Sequence, residues 1–466
     1  MQVAMRRATV VHLALVAGLL ATLVAAPTGA QAAEGTVQVP APVVEGPIPA
    51  TVTPPGTPRD YPFLATPLDL AAEGYVEEEY FISPAPEATG SYTTRILVRR
   101  PASPAGFNGT VLLEWQNVTA LHDVDHYWLE SAEHIMREGY AWVGVSAQRA
   151  GVHPSFPGLC VPGVPATWPL CNNLRTWSPQ RYGTLDIASD ALSFDIFAHA
   201  AQAVRAPAST GPAPLGDLAA DTVIALGTSQ SAGRLATYHD SVHPLQAEPV
   251  IDAFFLGESR PAIRTDLDVP VLRLLSEVDV AAGFAPADAP NYRHWEVAGA
   301  SHADARFTSR IQEFVAQGVL LQAEPVCNRN GPSEIPKRYA YHAAWGHMVG
   351  WVQDGTPPPV APRIEFRDGQ IVRDGLGNAR GGIQLSEHAV ATAYNGTGNG
   401  GGPFCNLFGV HEPFDDAQLR ELYRNPGRYA SAVTRVNNDN RRAGFLVPSD
   451  AAESTRAAAQ AGIPPR

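Results

Sequence analysis

Short runs of consecutive apolar residues recur between residues 61 and 302 of the 466-residue chain, and helical patterns separate them. Strands that are buried on both faces have this continuous apolar pattern, and intervening helices are typical of crossover connections. Two earlier segments predict an antiparallel pair at the start of the sheet. The sequence therefore predicts an α/β fold, with a mostly parallel, mixed sheet and helices on both faces. The paired segments are GYVEEEYFIS and SYTTRILVRRP, and the buried runs are GTVLLEW, YAWVGVSA, DTVIALG, PVIDAFFLG, VPVLRLLS and HWEVAG.

The N-terminus has the features of a secretory signal peptide. Arg6 and Arg7 precede an apolar run over residues 8–26, and Ala30-Gln31-Ala32 is a small-residue cleavage site. We expect cleavage after Ala32, so that residues 1–32 are removed and the protein is secreted to an extracellular or periplasmic-type compartment. An uncleaved anchor is the alternative, because the apolar run approaches the length that spans a bilayer. Residues 33–60, rich in Pro, Val and Thr, predict an extended lead-in.

The charge balance limits the kinds of partner that the protein can bind. The chain has 33 basic and 46 acidic residues, and cleavage after Ala32 would leave 31 and 46, a net charge of −15. A strongly acidic protein is a poor ligand for nucleic acid or anionic membranes. No later stretch is apolar enough to span a membrane, so the sequence predicts a small-molecule substrate and no stable membrane insertion after cleavage. It does not determine the oligomeric state.

The chain has an even number of cysteines, which in an exported protein predicts disulfides. Four cysteines allow three connectivities. The one with the lowest entropic cost of loop closure pairs Cys160 with Cys171 and Cys327 with Cys405. Zinc binding is the alternative, but no Cys-x-x-Cys or His-x-x-x-His spacing supports it. We therefore predict two disulfides and no metal site.

A tight turn between an apolar run and a helical pattern predicts a nucleophilic serine. In DTVIALGTSQSAGRLATYH the run ends at Gly227, and Ser229 stands between this predicted strand and the helix. This is the context of a nucleophile elbow, whose usual pattern is Gly-x-Ser-x-Gly. The fifth position here is Ser231, and a frame shifted by two residues would make Ser231 the nucleophile. Ser229 could instead be a helix N-cap.

An acid and a histidine follow the serine in the order that α/β-hydrolases use. VPVLRLLSEVDV predicts a strand that ends near Asp279, and HWEVAGASHAD predicts a strand followed by His302. Because carboxyl ends of parallel strands meet at one edge of the sheet, we expect the three side chains to lie together. His302 would take the proton of Ser229 while Asp279 orients the imidazole, and Glu277 is the alternative acid.

The negative charge of a tetrahedral intermediate requires preorganised N–H donors. The backbone N–H of Gln230, directly after the serine, is the first predicted donor of an oxyanion hole. The second is predicted in the loop after GTVLLEW, from Asn117 or, failing that, Gln116.

Two further segments surround this predicted core of residues 61–302. The insert over residues 150–182 is expected at the carboxyl edge of the sheet, where Phe156, Trp168 and Trp177 would wall an acyl or alcohol pocket, or would simply form a stapled loop. Residues 303–466 break the strand and helix alternation and predict a C-terminal extension packed on the core.

The chain resembles the α/β-hydrolase superfamily, and within it a group of large, mostly bacterial "alpha/beta hydrolase domain" proteins with a Gly-x-Ser-Gln-Ser elbow. The resemblance spans about residues 70 to 450 and implies the triad Ser229, Asp279 and His302. The ordered triad in an exported, disulfide-bearing chain predicts a secreted serine hydrolase that cleaves carboxylic esters without a cofactor, whereas the resemblance itself implies no substrate. An acyltransferase or peptidase with the same triad, or a non-catalytic binding protein, is the alternative, because a fold does not name a substrate. The resemblance rests on the segments GTSQSAGRLATY, LLSEVDV, WEVAGASHAD, EWQNV, WVQDGTPPP and GNARGGI.

Overall fold

The computed structural model describes residues 37–86, 90–155, 171–207, 211–284, 286–321, 326–402 and 404–465. The predicted signal peptide lies outside the described residues. So do Cys160, Phe156 and Trp168 of the predicted insert.

The centre of the fold is a mixed sheet whose main path runs in the order β1-β2-β3-β5-β4-β7-β8-β9-β10, with β6 paired to β3. Neighbouring strands are parallel along the part of the sheet ordered β5-β4-β7-β8-β9-β10. The pairs β1–β2, β2–β3, β3–β5 and β3–β6 are antiparallel. The predicted antiparallel start and parallel centre are confirmed. The strands are β1 Val43–Glu45, β2 Tyr75–Ser83, β3 Tyr92–Pro101, β4 Thr110–Trp115, β5 Ala141–Val145, β6 Asp186–Ile187, β7 Thr222–Thr228, β8 Ala253–Gly257, β9 Val271–Ser276 and β10 Tyr292–Val297.

Helices and two small hairpins complete the described structure. The hairpins pair β11 Phe366–Arg367 with β12 Gln370–Ile371, and β13 Ala393–Gly396 with β14 Val410–Pro413. The α-helices are α1 His126–Arg137, α2 Arg149–Val152, α3 Leu174–Trp177, α4 Pro179–Tyr182, α5 Ser193–Arg205, α6 Gln230–Ser241, α7 Ala305–Ala316, α8 Arg338–Asp354, α9 Ser386–Ala389, α10 Cys405–Phe408, α11 Asp416–Tyr423, α12 Pro426–Ala443 and α13 Pro448–Gln460. None of the helices in this part of the chain is both long and apolar enough to cross a membrane.

The two faces of the sheet bury two separate apolar clusters. Along β7, Val223 and Ala225 belong to one cluster while Ile224 and Leu226 belong to the other, because successive side chains of a strand point to opposite faces. Helices α5, α6 and α7 cover the first face, and α1 and α8 cover the second. Burial on both faces explains why these strands are continuous apolar runs rather than alternating patterns.

The sequence from Asp186 to about Arg205 has a helical pattern and predicts one helix, but this prediction is wrong over the first turns. Asp186–Ile187 form β6, which pairs with Tyr92 and Thr93 of β3, and the helix begins at Ser193. The Ile187 side chain is fully buried. Tyr92 and Thr93 lie beyond the residues of β3 that pair with β2 and β5, so this segment can pair with them, and such long-range pairing overrides a local helical pattern.

The segment after residue 302 contributes to the central layers rather than forming a separate appendage. Helix α8 lies against β7 and β9, where Tyr341 and Trp345 are fully buried beside Tyr127 of α1. Helix α7 supplies Ile311 and Phe314 to the cluster on the opposite face. The extension is therefore part of the core packing on both sides of the sheet.

The disulfide predicted between Cys327 and Cys405 is present and closes a loop of 78 residues. Replacing both cysteines with serine is expected to lower the free energy of unfolding by about 2 to 4 kcal/mol, because the cross-link restricts the unfolded chain. Urea denaturation measures the change, and Val326→Ser, at an 84% exposed neighbouring position, is the matched control. An unchanged denaturation midpoint in the double variant would contradict the expectation.

Candidate active site

Ser229 occupies a strained turn between β7 and α6. Its φ of 54° and ψ of −119° are unusual for a residue other than glycine, and this geometry is typical of a nucleophile elbow. Its N–H donates to Gly257 O at 2.9 Å, which fixes the turn against β8. A Cβ on Gly227 would lie 2.9 Å from Ser231 O, so the close approach of strand and helix requires glycine there. The partly exposed Ser229 side chain makes no capping hydrogen bond, unlike an N-cap serine.

Ser231, the alternative nucleophile, has its hydroxyl fully engaged. The residue is completely buried, and its Oγ donates to Thr228 O at 2.8 Å and accepts the Thr228 N–H at 3.0 Å. These bonds tie the first turn of α6 to the end of β7. The geometry therefore favours Ser229 as the serine that faces solvent.

Asp279 and His302 lie in contact on the loops that follow β9 and β10. The His302 Nδ1 atom is 2.9 Å from Asp279 Oδ1 and 3.1 Å from Oδ2. The Ser276 hydroxyl donates to Asp279 Oδ2 at 2.6 Å, so the carboxylate is held from its own loop as well. Side-chain exposure is only 12% for His302 and 14% for Asp279. A nearly buried carboxylate in this position fixes the orientation of the imidazole.

Glu277, the alternative acid, points elsewhere. Its Oε2 accepts the Gly299 N–H at 2.7 Å, and its Oε1 pairs with Arg373 at 3.0 Å. The Glu277 carboxylate therefore braces the loop before His302 without a hydrogen bond to the imidazole. Of the two predicted acids, the structure brings Asp279 to the histidine.

The charges of the pair shift both pKa values in the direction that favours an ion pair. Burial alone would raise the pKa of Asp279, but the adjacent His302, together with hydrogen bonds from Glu258 and Ser276, outweighs burial and the net pKa is lowered. Burial alone would lower the pKa of His302, but Asp279 outweighs it and the net pKa is raised. An imidazolium formed by proton uptake at His302 is thus stabilised by its partner.

The serine and the histidine share the carboxyl edge of the sheet, on strands separated by β8 and β9. Among the described residues, no hydrogen bond joins Ser229 Oγ to His302. Serine and histidine contacts of hydrolases are often looser before substrate binds. The structure therefore brings together two of the three predicted side chains and places Ser229 at the same edge.

The predicted oxyanion donors both lie beside the elbow. Gln230 is the first residue of α6, where backbone N–H groups have no partner within the helix. The Asn117 side chain donates to Thr228 O at 2.9 Å, which ties the loop after β4 to the residue before Ser229. The alternative donor, Gln116 N–H, is directed to Val145 O at 3.3 Å and remains in the sheet.

Within the described ranges, two clusters, one buried and one partly buried, contain enough ligand atoms for a metal, but their surroundings are positively charged. Glu258, Asp279 and His302 offer ligand atoms within 4.8 Å of one another, yet the Lys337 ammonium lies 3.8 Å from Glu258. The second cluster is formed by His134, His342 and Asp450, and Arg137 donates to His134 Nδ1 and lies 3.6 Å from Asp450. Cations at these distances oppose the binding of a further cation.

Glu258 and Lys337 lie beside Asp279 and His302 but are not among the residues predicted from the sequence. Glu258 directly follows β8, so a carboxylate after the strand next to the elbow was an available signal. Lys337 precedes α8, far along the chain, and no sequence pattern links it to the serine. Its Nζ donates to Ser301 O at 3.0 Å and also to His302 O.

Trp177, predicted to wall a substrate pocket, lies in the core instead. It is 3% exposed, packs against Tyr61 and Phe63, and donates its indole N–H to Val319 O at 3.0 Å. An indole enclosed by these partners cannot line an open pocket.

A family model described as "Alpha/beta hydrolase domain" matches residues 44–456, most of the chain. The chain belongs to this family. Its mixed, mostly parallel central sheet with helices on both faces is consistent with the α/β-hydrolase fold. No curated protein matches the sequence.

The solved structures that match the chain are distant in sequence and have low TM-scores. One is a cold-adapted esterase from an Arctic intertidal metagenomic library, with 16% identity over 43% of this chain and 72% of that chain and a TM-score of 0.24. Another is a putative dienelactone hydrolase from Klebsiella pneumoniae, with 14% identity, 52% and 98% coverage and a TM-score of 0.29. A prolyl endopeptidase structure has 11% identity, 50% and 36% coverage and a TM-score of 0.26.

Proposed function

We propose that this α/β hydrolase is a serine hydrolase of carboxylic esters, with Ser229 as nucleophile, His302 as general base and acid, and Asp279 as the orienting carboxylate. The observation that carries the proposal is the contact of Asp279 with His302 Nδ1 at the sheet edge where Ser229 stands in a strained elbow. Serine, acid and histidine at the carboxyl ends of β7, β9 and β10, in this order, match the arrangement that α/β-hydrolases use for acyl transfer to serine.

The reaction would proceed through an acyl-enzyme. Ser229 Oγ attacks the ester carbonyl carbon while His302 Nε2 takes the hydroxyl proton, and the N–H groups of Gln230 and Asn117 stabilise the oxyanion. The C–O bond to the alcohol breaks as His302 returns that proton to the leaving oxygen. Water then attacks the acyl carbonyl, gives a proton to His302, and releases the carboxylic acid as Ser229 regains its proton. Every step uses side chains and backbone groups of the chain.

Transfer of the acyl group to an alcohol or cleavage of a peptide would use the same residues. The products separate these reactions: an added alcohol that competes with water gives a new ester only in a transferase. A non-catalytic binding protein would leave Ser229 unactivated. The intact combination of Ser229, Asp279 and His302 supports hydrolysis over that alternative.

We also propose that the protein is secreted after cleavage behind Ala32. The basic leader, the apolar run and the small-residue site support export, and the Cys327–Cys405 disulfide is the kind of bond that oxidising compartments maintain. N-terminal sequencing of protein recovered from the culture medium tests the cleavage position.

The nucleophile is tested by exposing the purified protein to a fluorophosphonate and measuring its intact mass. We expect one phosphonyl adduct on the wild type, none on Ser229→Ala, and an adduct on Ser231→Ala, because only an activated serine displaces fluoride. Loss of the adduct only in Ser231→Ala would move the nucleophile by two residues. A folded wild type without any adduct would contradict the proposed function and favour a binding protein.

A further inference from the structure

Glu258 stands between the strand that carries the serine and the strand that leads to the acid. It follows β8, which lies between β7 and β9 in the sheet. Gly257 O accepts the Ser229 N–H, and the Glu258 N–H donates to Leu274 O of β9, each at 2.9 Å. Its φ of 53° is strained for a residue with a side chain. Strain of this kind persists only where the surroundings hold it, and it is concentrated at functional sites.

The Glu258 carboxyl is buried against the loop that carries Asp279. Glu258 is 2% exposed, and its Oε2 accepts the Ser276 N–H at 2.8 Å. Its Oε1 accepts the Tyr341 hydroxyl at 2.6 Å. Ligand atoms of Glu258, Asp279 and His302 lie within 4.8 Å of one another. Two carboxyl groups this close share a proton at less cost than they both ionise.

The extension holds this pair of acids through residues at the start of α8. The Lys337 ammonium is fully buried, 3.8 Å from Glu258 Oε1 and 3.3 Å from Glu130 Oε1. The same ammonium donates to the carbonyl oxygens of Ser301 and His302. One buried cation therefore fixes both the histidine loop and the charge beside it.

We propose that Glu258 is a positioning residue that holds Asp279 against His302 by a carboxyl–carboxylate hydrogen bond, and that Lys337 and Tyr341 hold Glu258 in place from α8. The inference rests on the proposed function and extends it by a second acid and a role for the extension. Glu258 would keep its proton and donate it to the Asp279 carboxylate, which remains the ionised partner of the imidazole.

The electrostatics agree with this distribution of protons. Burial raises the pKa of Glu258, Lys337 opposes the rise, Asp279 adds to it, and the net pKa is raised. An ionised Glu258 would instead raise the pKa of His302, whereas Lys337 lowers it, so the pKa of His302 reports the charge of Glu258. The titratable groups that face Glu258 or His302 from the elements packed around them are Asp279, Lys337, Tyr341, Tyr127 and His126, with Glu130 and Asp304 on the far side of Lys337.

The test is the pH dependence of the fluorophosphonate labelling rate of Ser229, whose acidic limb reports the loss of neutral His302. Glu258→Gln replaces the protonated carboxyl with another neutral hydrogen-bond donor, one that cannot ionise. We therefore expect its acidic limb to coincide with that of wild type and its plateau rate to stay within about threefold of wild type. Glu258→Ala lacks the donor, and its plateau rate is expected to fall by about tenfold or more.

Glu114→Gln is the matched control for removing a buried acid. The pKa of Glu114 is raised to about 8, chiefly by burial, and its carboxylate accepts the indole N–H of Trp142 at 2.7 Å. The acidic limb of the labelling rate of Glu114→Gln should coincide with that of wild type. A Glu258→Gln limb displaced to lower pH by about one unit, which would show that Glu258 is ionised, or a Glu258→Ala plateau equal to that of wild type, would overturn the inference. Either result would leave Ser229 as the nucleophile, since the labelled wild type tests the proposed function separately. If Glu258→Ala does not fold, the Glu258→Gln limb decides alone.

Discussion

Ser229→Ala is expected to reduce hydrolysis of an activated ester such as 4-nitrophenyl acetate by about 10⁴-fold or more. The alanine cannot form an acyl-enzyme, and the remaining oxyanion donors provide only a small part of the rate. The measurement is steady-state turnover of the variant beside wild type.

The same variant should fold normally. The Ser229 side chain makes no hydrogen bond with the described part of the chain, and alanine meets the positive φ with a similar cost. We expect the free energy of unfolding to change by no more than about 0.5 kcal/mol. A folded Ser229→Ala variant with turnover near that of wild type would rule out the proposed nucleophile.

Asp279→Asn is expected to lower kcat by about 10⁴-fold. The Asp279 carboxylate accepts the hydrogen bond of His302 Nδ1, which leaves Nε2 free to take the serine proton. An asparagine amide that donates to Nδ1 would stabilise the opposite tautomer, whose Nε2 already carries a proton. The measurement is kcat with a saturating activated ester, together with the thermal denaturation midpoint of the variant.

Glu277→Gln is the matched control, two residues earlier on the same loop. The Glu277 carboxylate contacts Gly299 N–H and Arg373 rather than His302, so kcat should stay within roughly tenfold of wild type. If Glu277→Gln loses about as much activity as expected for Asp279→Asn, while Asp279→Asn retains activity, the acid has been assigned to the wrong residue.

Much of the sheet could be predicted because the sequence signal for each strand lies within the strand itself. Each parallel strand is buried on both faces, so an apolar run such as VPVLRLLS predicts a strand without knowledge of its neighbours. The prediction of a helix from Asp186 was wrong because Ile187 pairs with Tyr92 of β3, a strand that is far away in sequence. The prediction that Trp177 lines a pocket was wrong for a similar reason, since the sequence of a loop does not reveal whether an aromatic side chain faces a pocket or the core.

The sequence by itself determined the order of the candidate residues and their positions at strand ends. It could do so because serine, acid and histidine each directly follow a local apolar run. Only the tertiary structure decided between alternatives of equal local character. Asp279 and Glu277 differ by two positions on one loop, but their partners His302 and Arg373 are distant in sequence. Ser229 and Ser231 differ by two positions in one turn, and the contact of the Ser229 N–H with Gly257 O of β8 fixes the geometry of that turn.

Glu258 and Lys337 show the same limit most clearly. A buried ammonium is tolerated only where several oxygens surround it, and those of Glu130, Glu258 and the His302 loop come from three separate parts of the chain. The free energy that holds Lys337 is therefore a property of the folded assembly of these segments. Local sequence patterns carry propensity and burial, whereas this arrangement of charges exists only once the sheet and α8 have packed together.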